Sequence, residues 1–74
     1  MTINQKYHKV GILNNLMESL YSYEEQTNEN MKYELDRLQE EGEEDNDYRK
    51  KNIQNYKDRL TAIETLKKEF EKLA

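Results

Sequence analysis

The sequence predicts an all-α fold, an antiparallel helical hairpin of one long and one shorter helix, on three observations. Proline is absent and the only glycines are Gly11 and Gly42, so few positions can interrupt a helix. Apolar residues recur mostly in steps of three and four, the spacing of one helical face. A single polar, glycine-containing stretch, residues 41–47, divides two such patterns.

The first helix is expected over about residues 2–41. Thr2 followed by Gln5 has the arrangement of a capping box, in which each residue satisfies an orphan backbone donor of the other. Ile3, Tyr7, Val10, Leu13, Leu16, Met17, Leu20, Met31, Leu35 and Leu38 then mark one face. The stripe fades between Tyr23 and Asn30, where Thr27 or Asn28 could cap a new helix. A break there would give the alternative fold, a three-helix bundle.

Residues 41–47, Glu-Gly-Glu-Glu-Asp-Asn-Asp, form an acidic turn, with Gly42 as the helix stop and Asp45, Asn46 or Asp47 as the next cap. The second helix, about residues 47–73, carries Ile53, Tyr56, Leu60, Ile63, Leu66, Phe70 and Leu73. Folding about the turn sets Leu35 near Ile53, Thr27 near Leu60, Leu20 near Leu66, Leu16 near Phe70 and Leu13 near Leu73. The longer first helix then projects past its partner. Ile3, Tyr7, Val10 and Leu13 are accordingly the expected self-association residues, in a homodimer with a four-helix arrangement.

A chain of 74 residues forms one domain at most and buries a modest share of its surface, so a partner would add to its stability. It contains no Cys and one His, which removes disulfides, thiolate metal sites and the usual nitrogen ligands for zinc. No cofactor and no metal are expected. An EF-hand count started at Asp45 places Arg49 and Lys51 where oxygen ligands belong. His8 reads as a solvated side chain, and no nucleophile, base or phosphate loop has the spacing catalysis requires, so an enzyme is not expected. Without a membrane-length apolar run or a signal-peptide layout, the expected location is the cytoplasm.

The formal charge of −4 argues against nucleic acid as a direct partner and towards a basic protein. Arg49-Lys50-Lys51 is read as counter-charge to the turn. Residues 18–47 hold twelve acidic side chains against Lys32 and Arg37. Within them Glu18, Glu25, Glu29, Asp36 and Glu40 recur at spacings of seven and four, which aligns them on one outward face of the first helix. With Glu43, Glu44 and Asp45 of the turn they are the candidate partner-binding residues, a carboxylate line able to stand in for a nucleic-acid backbone. The alternative is an ordinary solvated face. Six tyrosines add amphipathic area, with Tyr21 and Tyr33 as contact candidates and the edges of the helical seam as their alternative place.

In length, acidity, two-helix pattern and its Asn-, Lys-, Glu- and Tyr-rich composition, the whole chain resembles the small host-takeover proteins of phages infecting staphylococci and related bacteria. The nearest type is the one that inhibits the host DNA sliding clamp. The resemblance implies a protein that binds that ring in the host cytoplasm and stops its loading onto DNA, and the acidic line suits the ring's basic channel as a stand-in for phosphate. Two other classes fit the residues: a coiled-coil assembly protein or chaperone, and an antitoxin-like partner of a basic enzyme.

Overall fold

A computed structural model describes residues 2–73 and consists of two helices, α1 over Ile3–Glu41 and α2 over Asp47–Leu73. They lie antiparallel as a hairpin. The molecule measures 59 × 15 × 13 Å, and 39 residues at ~1.5 Å each account for the long dimension, so α1 sets the length of the rod.

Both ends of α1 are closed by the residues the sequence nominates. The Gln5 backbone N–H donates to Thr2 Oγ1 at 3.2 Å while the Thr2 N–H donates to Gln5 Oε1 at 2.9 Å, which completes the capping box. At the other end the Gly42 N–H donates to the Leu38 carbonyl at 2.9 Å. Gly42 has φ 85° and ψ 166°, a region that side chains other than hydrogen leave almost empty. Asp45 enters the left-handed region at φ 61°. Of the three cap candidates for α2, Asn46 takes the role: its carbonyl accepts from the Arg49 and Lys50 N–H groups. Its own side chain is buried, and Nδ2 donates to the Gly42 carbonyl at 2.6 Å, tying the two sides of the turn together.

α1 does not break at residues 26–29, so the three-helix alternative is not adopted. Thr27 bends its hydroxyl back to the Tyr23 carbonyl at 2.7 Å instead of capping a new helix. With that donor satisfied the side chain is wholly buried, at 0% exposure. The less exposed residues of α1 are Leu13, Met17, Leu20, Glu24, Thr27, Met31, Glu34 and Leu38, in alternating steps of four and three. This is a heptad seam of coiled-coil type. The stripe does not fade in the middle of α1; polar side chains carry it there.

The matching seam of α2 contains Arg49, Ile53, Tyr56, Leu60, Ile63, Lys67 and Phe70, with Ile53 and Ile63 the buried apolar centre. Leu16, Leu35 and Leu66, expected on the buried stripe, are instead 44%, 43% and 39% exposed and lie at its margins. A heptad seam admits two positions in seven, and the neighbouring places filled by Thr27, Glu34 and Lys67 displace these leucines sideways. The Glu24–Lys67 contact places Leu73 level with Glu18 and the Glu34–Arg49 contact places it level with Val10, a mean near Asn14, and Leu13 is the first seam residue of α1 that is not exposed. Residues 3–12 project beyond α2.

Candidate functional site

The seam decides which charges of the surface are already paired. Arg49 forks between two carboxylates near the C-terminal end of α1: Nη1 donates to Glu34 Oε2 at 3.0 Å, while Nε and Nη2 hold both oxygens of Glu41 at 3.1 Å. The Glu41 hydrogen bonds are the first cause of a guanidinium pKa raised above its ordinary value. Lys67 Nζ donates to Glu24 Oε2 at 2.6 Å, and that bond is the main reason its pKa too is raised. In both pairs α1 supplies the acid and α2 the base. Matching charges across a seam specify which helices pair and in which register.

The tyrosines stack on four cations, two of them the paired bases of the seam. Tyr21 faces Lys67 at 4.4 Å, Tyr33 faces Arg37 at 5.4 Å, Tyr48 faces Arg49 at 5.2 Å, and Arg59 lies between Tyr23 at 5.1 Å and Tyr56 at 5.5 Å. Such stacking favours the cation through the ring quadrupole. Tyr33 also accepts a hydrogen bond from Arg37 Nε at 3.3 Å, the leading cause of a raised Arg37 pKa. Tyr21 therefore joins the two helices and Tyr33 contacts its own helix, each keeping about half its surface exposed. Tyr7 differs: it packs edge-on to His8 at 6.1 Å and is otherwise open.

The carboxylate line stands apart from this internal pairing. Glu18, Glu25, Glu29, Asp36 and Glu40 are all exposed on the side of α1 opposite the seam. Glu40 approaches Arg37 at 3.8 Å; among the described residues, the other four have no ion-pair partner. The line runs about 33 Å along the axis, from 22 residues at ~1.5 Å each. Glu43, Glu44 and Asp45 are exposed and extend it around the turn. Of the turn acids, Glu41 is held by Arg49, and Asp47 lies in the first turn of α2, where a negative charge complements the helix dipole.

A second exposed feature escaped the reading of the sequence. Tyr23 and Arg59 touch, so they mark one flank of the hairpin. Leu16 lies seven residues before Tyr23, and Leu66 and Leu73 lie seven and fourteen after Arg59, which places them along the same flank with Ile12 beside them. All four are exposed. Heptad spacing from a known contact could have found them; counting apolar residues assigned Leu16 and Leu66 to the core. Of the expected self-association residues, Ile3, Tyr7 and Val10 are 86%, 78% and 51% exposed, whereas Leu13 is half-buried on the seam.

Among the described residues, no group of three or more acidic or imidazole side chains is placed to hold a metal ion. No described helix is long and apolar enough to cross a membrane. No family model, curated protein or solved structure matches this chain.

Proposed function

We propose that this chain is a small acidic inhibitor that lays the outer face of α1 and the adjoining turn on a protein surface built to hold DNA. The replicative DNA sliding clamp is the candidate partner, because its channel must be basic to ride on a duplex. The observation that carries the reading is the division of the acids. Glu24, Glu34 and Glu41 are consumed by Lys67 and Arg49, while Glu18, Glu25, Glu29 and Asp36 are left in register on one outward face. Unpaired charges of one sign along a rigid rod steer association with an oppositely charged surface.

Charge density sets a limit on the mimicry. The line offers one carboxylate per ~8 Å of helix, against one phosphate charge per ~1.7 Å of duplex axis. A single α1 does not replace a duplex charge for charge. The turn acids add to it, and a second hairpin docked along the flank of Ile12, Leu16, Leu66 and Leu73 would double the acidic surface in a four-helix arrangement.

The test is calorimetric titration of a purified bacterial sliding clamp with wild-type protein and with Glu25→Lys/Glu29→Lys, each at low and high salt. The expected result is wild-type binding that weakens steeply with salt, and loss of binding in the variant at unchanged helix content. Binding that survives both changes would return the line to an ordinary solvated face, and no binding at low salt would sink the clamp reading and favour the assembly role.

A further inference from the structure

The end of the hairpin opposite the turn is unlike the rest of the surface. Ile3, Lys6 and Val10 continue the three-and-four phase of the α1 seam beyond Leu13, yet the described part of α2, Asp47–Leu73, covers none of them. The segment is already helical, because the Thr2–Gln5 capping box closes its first turn. A preformed helix loses little entropy when something docks on it. The uncovered seam is about 15 Å long, from ten residues at ~1.5 Å each.

Its charge is also opposite to that of the turn end. Residues 3–17 contain Lys6 and Lys9 and no acid. Along the covered seam, both acids of α1 meet a base of α2: Glu24 meets Lys67 and Glu34 meets Arg49. Lys6 occupies the same kind of position with the sign reversed. A helix completing the seam there therefore needs a carboxylate opposite Lys6 and apolar residues opposite Ile3 and Val10.

We infer that the N-terminal projection of α1, residues 3–12, is a docking site for an acidic amphipathic helix of a partner protein. Ile3, Tyr7 and Val10 form the apolar contact and Lys6 and Lys9 select the charge. A second copy of this projection is the poorer occupant. Run antiparallel, it would set Lys6 and Lys9 of each copy against those of the other with no acid between them, where like charges across a seam oppose pairing.

The probe is a pair of synthetic 14-residue amphipathic helical peptides with leucine on the seam, one with glutamate and one with lysine at the flanking positions. Each is titrated into the full chain and followed by backbone amide NMR. The expected result is saturable shifts confined to residues 3–13 with the glutamate peptide, and affinity lower by about tenfold or more for the lysine peptide. Lys6→Glu should reverse that preference at unchanged helix content, since Lys6 touches no part of α2. Equal response to both peptides, no saturable response, or shifts at Ile3, Tyr7 and Val10 that follow protein concentration alone would overturn the inference. The last would assign the projection to a second copy. None of these readouts involves the carboxylate line, so this inference and the proposed function fail separately.

Discussion

Gly42 and Gly11 show how differently one residue type can matter in a chain this small. At φ 85° and ψ 166°, Gly42 cannot be replaced without strain even though open space surrounds it. Gly42→Ala should cost about 1–3 kcal/mol in chemical denaturation. Gly11 lies inside α1, and an added Cβ meets nothing within 4 Å. Gly11→Ala should stabilise the fold by about 1 kcal/mol through helix propensity alone. Ile63, 2% exposed, is the most buried apolar side chain; its replacement by Ala should cost about 2–5 kcal/mol and raise the unfolding rate. Thr2, Gln5 and Gly42 were legible because capping chemistry is local in sequence. The choice of Asn46 over Asp45 and Asp47 was not, since it depends on a side chain reaching across the turn to the Gly42 carbonyl.

At the scale of the elements, α2, the antiparallel hairpin and a single first helix could be read from spacing, but what carries α1 through its middle could not. Counting only apolar residues leaves a gap from Tyr23 to Asn30, because Glu24 holds its seam place through Lys67 and Thr27 through its own backbone. Both partners are distant or conformational, so neither registers as hydrophobic periodicity. The ion pairs carry a pH signature. The folded-state pKa of Lys67 lies above its unfolded value, chiefly through the Glu24 hydrogen bond. Its contribution is therefore complete below the ordinary lysine value of about 10.4 and disappears as pH rises through the folded value. The destabilisation produced by Lys67→Gln should shrink over that alkaline range in thermal melts. A penalty that stays constant there would mean the ammonium contributes packing and no charge. Exchanging the pair, Glu24→Lys with Lys67→Glu, should recover stability that Glu24→Lys alone loses.

As a whole, the molecule is a thin rod whose two ends and two long faces have different chemistry. Ile53 and Ile63 are its only buried apolar residues among those described, so stability rests on a narrow seam and on matched charges along it. The acids that hold the fold lie inward, and those on the outer face of α1 are exposed. That separation was half visible in the sequence: spacing aligned the carboxylates, but only the structure distinguishes Glu24 and Glu34 from Glu25 and Glu29. The measurement that tests the central claim most directly is competition between this protein and duplex DNA for a purified sliding clamp, read as clamp retained on circular DNA during titration. The account predicts that wild-type protein lowers retention, that added salt relieves the effect, and that Glu25→Lys/Glu29→Lys abolishes it. Retention unchanged at concentrations where the protein binds the clamp would contradict the claim that its acidic face occupies the DNA-binding surface.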